Sequence, residues 1–177
     1  MSAAAPVNVS DFERLAADAL TEQAAAYFYG GANDEVTLRD NVAAWGRWQL
    51  RPRMLTGVAE VSTAAQVLGA ELSMPLAVAP VAFQRLAHPD GEQAMARAAA
   101  AAGTAMTLST IATARPSEVA QAAPEGRRWF QLYCFRDAEV TQALLDEAID
   151  SGFEAILLTV DAPRGGRRER DLRLGVE

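Results

Sequence analysis

Apolar and polar positions follow two different rhythms along this chain. In the first, Phe12, Leu15, Ala16, Ala19 and Leu20 recur at helical spacing around Ser10 and Glu13, an S-x-x-E pair of the kind that forms a capping box. A second helical run, TEQAAAYFYGG, stops at Gly30-Gly31, where a left-handed C-terminal cap is predicted, and a third lies around Asp34 to Trp45. VSTAAQVLGAEL then predicts a short hairpin turning near Gly69. No Pro/Ser-rich linker follows. Residues 1–73 therefore predict a helical extension and hairpin within a single domain spanning 1–177.

From residue 74 onward, short apolar runs alternate with helical segments. MPLAVAP precedes a helix from about Pro89 to Ala102, which Gly103 ends. TAMTLST precedes a shorter helix from Ser117 to Ala122, and WFQLYCF precedes one from Asp137 to Ser151, closed by Gly152. EAILLTVD is the last run. Strand–helix alternation with short connections predicts βαβ units and a parallel sheet. The runs are nearly continuously apolar, as strands covered on both faces are.

Each run also ends in small or polar groups: Pro80-Val81-Ala82, then Ser109-Thr110, then Gln131 and Tyr133, then Thr159 and Asp161. Residues two apart share a strand face, so Gln131 pairs with Tyr133 and Thr159 with Asp161. Chemistry-bearing side chains at successive C-terminal strand ends are the pattern of a (β/α)8 barrel's catalytic face. A doubly wound sheet would place them at its crevice, but it usually carries a Gly-rich phosphate turn, and neither G-x-G-x-x-G nor a Walker sequence follows the first run. The fold class predicted is α/β, a (β/α)8 TIM barrel of which this chain supplies the first four βα units.

Composition narrows the setting. A formal net charge of −7 argues against a nucleic-acid or acidic-membrane surface. All 16 basic residues are Arg, which grips carboxylate or phosphate bidentately and serves as neither Schiff-base former nor titrating amine. A lone Cys134 fits a reducing compartment. The opening MSAAAPVNVS shows no secretory pattern, and the Ala-rich stretch from Ala98 to Ala102 is too short to cross a membrane. The expected setting is cytoplasmic, with no metal site.

Six stretches, in order, carry a resemblance: YFYGGANDEVTL, RPRML, MPLAVAPVAFQRLAHPDGE, AAAAAGTAMTLST, FQLYCFRD and LTVDAPRGGRRERDLR. Along its whole length the chain resembles the N-terminal half of the FMN-dependent α-hydroxy-acid oxidases and dehydrogenases, such as glycolate oxidase, lactate oxidase and mandelate dehydrogenase. The resemblance implies FMN as cofactor and oxidation of an (S)-2-hydroxy acid to the 2-oxo acid, with a hydride equivalent passing to flavin N5. Pro80, Val81 and Ala82 would line the flavin ring with backbone, while Ser109, Gln131 and Thr159 would bond its polar edge. Tyr27 and Arg168 would help bind the substrate carboxylate, Tyr133 would bond the substrate oxygen that becomes a carbonyl, and Asp161 would support a general-base His. That His, a flavin-contacting Lys and a carboxylate-binding Arg come from the family's later strands, which are not in this chain. A partner is therefore implied, the C-terminal half of the barrel as a second chain or fragment, together with a homo-oligomer (tetramer or octamer). Residues 74–177 would hold strands 1–4 and the start of the fourth loop. Ile111 stands where glycolate oxidase has a pocket Trp, which implies room for a longer or aryl-bearing acid. Leu174 stands where the family often has Asn.

Competing readings accompany these roles. Tyr133 alone fits an interior tyrosine bonded to backbone, and Asp161 a turn cap before Pro163. Arg167, Arg170 and Arg173 fit a solvated loop, His88 the start of a helix, and Cys134 a core position. Two other functions fit as well: another FMN- or phosphate-binding barrel enzyme (an isomerase or monooxygenase), or a non-catalytic half-barrel interaction module.

Overall fold

A computed structural model of the chain describes residues 5–175. Residues 1–4 and 176–177 lie outside it, and with them part of the opening stretch in which no secretory pattern is expected. In chain order the elements are α1 (Val9–Ala19), α2 (Glu22–Tyr29), α3 (Val36–Ala43), β1 (Ala65–Val67), β2 (Ala70–Leu72), α4 (Gly91–Ala101), β3 (Ala105–Ser109), α5 (Pro116–Ala122), β4 (Arg127–Leu132), α6 (Ala138–Asp150), β5 (Ala155–Leu158) and α7 (Glu169–Arg173). They gather into two compact units, one of residues up to Thr56 together with 164 onward, the other Gly57–Pro163.

The first unit is helical. Its α1 starts earlier than the Ser10/Glu13 pair predicts. Asn8 is the N-cap, accepting from Asp11 N at 2.9 Å, and the Asp11 carboxylate accepts from Asn8 N at 3.3 Å and Val7 N at 2.8 Å. Asn caps as well as Ser does, and this box satisfies three N–H groups at once. The left-handed cap expected at Gly30-Gly31 is also absent, for Gly30 leaves α2 extended at φ −83°. Glycine is required there by contact: a Cβ would lie 2.3 Å from the Ala26 carbonyl oxygen. The left-handed residues come later, at Asn33 and Glu35, just before α3.

In the second unit β1 and β2 form the predicted hairpin, with Ala65 opposite Leu72. Leu68 and Gly69 both have positive φ (49° and 76°), the pair that a two-residue hairpin turn matching strand twist demands. β3, β4 and β5 form a parallel sheet in sequential order. MPLAVAP falls short of a strand. It makes one parallel bridge, with Val78 N donating to Ala105 O (2.8 Å) and Val78 O accepting from Thr107 N (3.0 Å). Pro75 and Pro80 flank it, and each removes a donor and pins φ, so little of the run is free to pair.

Strand alternation sorts the sheet's faces. Met106 and Leu108 from β3 and Phe130 and Leu132 from β4 pack with Ala96 and Ala99 of α4, Val119 of α5 and Ala148 of α6. All three helices thus cover one face. A doubly wound sheet has helices on both, so the pattern is that of a barrel segment, whose other face looks inward. That inner face carries Ala105, Thr107, Ser109, Trp129 and Gln131, all buried. β3 is covered on both sides as expected. β5 is not: Ile156 and Leu158, on the helix face, are 41% and 54% exposed, because β5 is the edge strand among the described residues.

Candidate active site

The parallel register brings three predicted side chains into one row. Ser109 is the register partner of Gln131, and Gln131 is opposite Leu157, two residues before Thr159 on the same face. Gln131, only 4% exposed, is the hub. Its Oε1 accepts from the Ser109 hydroxyl at 3.3 Å and from Thr110 N at 3.1 Å, and its Nε2 donates to Thr159 Oγ1 at 2.8 Å. The backbone N–H of Thr110 can only donate, so it fixes which end of the amide faces β3. Ser109 Oγ also accepts from Ile111 N at 3.1 Å. Its proton is thus committed to Gln131, leaving a lone pair, whereas Thr159 Oγ1, already accepting from Gln131, keeps its proton to donate. The row therefore presents an acceptor at one end and a donor at the other. Sequence reasoning reaches the three residues but not this polarity.

Pro80, Val81 and Ala82 lie in the loop after the Val78 bridge, exposed or half-buried. This loop is pinned by the acid that closes the HPDGE stretch, a residue to which the resemblance assigns nothing. Glu92, in the first turn of α4, is fully buried. Its carboxylate accepts from Gln84 N (3.2 Å), Thr113 N (2.8 Å) and the Thr113 hydroxyl (2.6 Å). Burial pushes this carboxyl up, but the Thr113 hydroxyl and N–H, its own N–H and the Gln84 N–H outweigh it and hold the pKa below the ordinary glutamate value. Gln84 Nε2 in turn donates to Val81 O at 3.3 Å, and Phe83 N donates to Ile111 O at 3.2 Å. Gly91 (φ +38°) permits the close packing, for a Cβ there would sit 2.8 Å from Arg85 Cγ. The signal was available: an acid in the first turn of an otherwise alanine-rich helix.

Tyr133 stands just past β4, half-buried, with its N–H donating to Thr110 Oγ1 at 3.0 Å. Its hydroxyl bonds to no other described residue, so the backbone-bonded interior tyrosine is not what is seen. Asp161 is exposed beyond β5. Cys134 is exposed and not part of the core, because the chain has left the sheet at Leu132 and strand alternation no longer governs it. His88 sits in the turn before α4, its Nδ1 accepting from Asp90 N at 3.2 Å. No group of three or more His, Cys, Asp or Glu that could hold a metal ion occurs among the described residues, and none of their helices is long and apolar enough to cross a membrane.

The other two predicted residues meet within the first unit. The Arg168 guanidinium lies 5.1 Å from the centre of the Tyr27 ring. Its Nε donates to Asp171 Oδ2 at 2.5 Å, and one terminal nitrogen donates to the carbonyls of Ala26 (3.3 Å) and Tyr27. Asp171 is 8% exposed, and no sequence pattern marks it out. Arg170 is exposed, as the solvated reading expects, but it lies in α7 and pairs with Glu35 at 2.6 Å. That partner is distant in sequence, so no local spacing could reveal it. Arg167 and Arg173 are largely exposed and pair only with Glu169.

Comparison with known proteins places this geometry. Residues 16–177 match the family model described as FMN-dependent dehydrogenase. The chain belongs to that family. It is 47% identical over 171 residues to an L-lactate oxidase of Nostoc sp., covering 95% of this chain and 47% of that protein. A glycolate oxidase 1 of Zea mays is 49% identical over 166 residues, covering 94% of this chain and 45% of its own length. A solved mandelate oxidase variant with (S)-mandelic acid superposes with a TM-score of 0.92 at 42% identity, covering 96% of this chain and 50% of that one. The chain thus spans about half the length of the family members it matches. The fold is accordingly part of a TIM barrel. In an FMN-dependent dehydrogenase the strand-end row suits the polar edge of an isoalloxazine, which alternates acceptors with an N–H donor. The fit lies in the donor set: one acceptor (Ser109), one donor (Thr159) and a buried amide between them.

Proposed function

We propose that this chain supplies the flavin edge and part of the substrate pocket of an FMN-dependent enzyme that oxidises an (S)-2-hydroxy acid to the 2-oxo acid. The observation that carries the reading is the Ser109–Gln131–Thr159 row at the strand ends of a barrel segment. When bound, FMN supplies the two-electron acceptor that no side chain provides. Ser109, Gln131 and Thr159 hold its polar edge, and the backbone of Pro80, Val81 and Ala82 lies along the ring, where small residues allow close approach.

The substrate is an anion that must be oriented without reacting. Tyr27 and Arg168 hold its carboxylate; Nη1 of Arg168 makes no hydrogen bond to another described residue, while Nε and Nη2 anchor the side chain. The Tyr133 hydroxyl donates to the substrate oxygen that becomes the carbonyl, and Asp161 orients the general base and stabilises its cation. That base, and the other groups of the later strands, come in this reading from the C-terminal half of the barrel as a second chain or fragment, and the open helix face of β5 at Ile156 and Leu158 supports such a neighbour. Both compact units then belong to one domain, in a cytoplasmic homo-oligomer. The test is 2-oxo acid formation, per FMN, from glycolate, (S)-lactate and (S)-mandelate by the assembled enzyme. Turnover of at least one is expected; FMN-loaded protein that turns over none would refute the reading.

A further inference from the structure

Thr110 has no part in the roles above, yet it governs how β4 ends. β3 stops at Ser109, so beyond that point its main chain no longer supplies the rungs that a parallel ladder needs. The Thr110 hydroxyl takes their place. It donates to the carbonyl of Gln131 at 2.5 Å and accepts the N–H of Tyr133 at 3.0 Å, bracketing Leu132 as a main-chain partner would. Its own N–H fixes the Gln131 amide at 3.1 Å. Without the hydroxyl, a carbonyl and an N–H at this strand end both lose their partner, one of them on Tyr133 itself.

We infer that Thr110 is a positioning residue: its hydroxyl sets the path by which the chain leaves β4, and thereby the placement of the Tyr133 phenol. The inference rests on the function proposed for Tyr133. Thr110→Val removes the hydroxyl at nearly constant volume, and Thr110→Ser keeps it. In the assembled, FMN-loaded enzyme, Thr110→Val should slow anaerobic flavin bleaching by saturating 2-hydroxy acid about tenfold, the effect expected from the stranded Tyr133 N–H alone. Thr110→Ser should stay within about twofold of wild type, and the FMN Kd should move less than about threefold in either variant. Placed on Tyr133→Phe, the Val substitution should add less than about twofold, because both act through one phenol.

A second readout is independent of activity. Hydrogen exchange of the Tyr133 amide should accelerate in Thr110→Val and not in Thr110→Ser. Additive rate effects, unchanged Tyr133 exchange, or a Ser variant as slow as the Val variant would each overturn the positioning role. FMN-loaded wild type that no 2-hydroxy acid bleaches would instead refute the function proposed above, and the Tyr133 exchange would still decide whether Thr110 holds the end of β4.

Discussion

Replacing Glu92 by Leu should destabilise the second unit far more than replacing it by Gln. Hydrogen bonds to a charged acceptor contribute roughly 1.5–3 kcal/mol each, and Glu92 accepts three, two of them from backbone N–H groups that lose this partner when it goes. Leu recovers about 2 kcal/mol by burying apolar surface at this fully buried site. The net expected loss is about 2.5–7 kcal/mol. Gln keeps both N–H bonds at one oxygen and can donate to the Thr113 hydroxyl once that hydroxyl turns, so its loss should be about 1 kcal/mol. The surface pair Arg127–Glu154 sets the scale, since its loss should change stability by less than about 1 kcal/mol. The assay is urea unfolding followed by tryptophan fluorescence, with Trp129 buried in this unit. Because the folded pKa of Glu92 is depressed, its contribution is present above the ordinary glutamate value of about 4.3 and is lost as pH falls through the lower folded value. The Leu-variant difference from wild type should therefore shrink in acid. Equal effects from Leu and Gln, or a difference that grows in acid, would refute the reasoning.

Three further outcomes follow from the site. Tyr133→Phe should slow turnover by up to roughly 10²–10³ with FMN still bound, since only a donor to the reacting oxygen is lost; stopped-flow reduction of the flavin checks it. Arg168→Met should raise the KM for 2-hydroxy acids by about one to two decades, and limited proteolysis should show residues 167–173 loosened, because the same side chain ties α7 to the end of α2. Ile111→Trp should lower kcat/KM for (S)-mandelate relative to glycolate, as its 42% exposed side chain gives way to a larger one; competition between the two substrates measures the ratio.

The barrel segment was legible in the sequence because its signals are local. Apolar runs such as TAMTLST and EAILLTVD, the Leu68-Gly69 turn and the glycines after α4 and α6 each act within a few residues. What failed was decided by competition or by distance. The Ser10/Glu13 box lost to Asn8/Asp11, MPLAVAP was limited by its two prolines, and Cys134 left the sheet before alternation could bury it. In the candidate site, the three side chains that the register joins, Ser109, Gln131 and Thr159, were legible from strand ends and resemblance. The partners Thr110, Thr113, Glu92 and Asp171 were not, because hydrogen bonds such as Thr113 to Glu92 join separate elements through side-chain geometry that no spacing encodes.

Anaerobic mixing of the assembled, FMN-loaded enzyme with a 2-hydroxy acid tests the central claim most directly. The account predicts that the (S)-enantiomer of lactate or mandelate bleaches the flavin's visible absorption and yields one 2-oxo acid per flavin, while the (R)-enantiomer leaves the spectrum oxidised. A flavin that binds but stays oxidised with every (S)-2-hydroxy acid tried would contradict it.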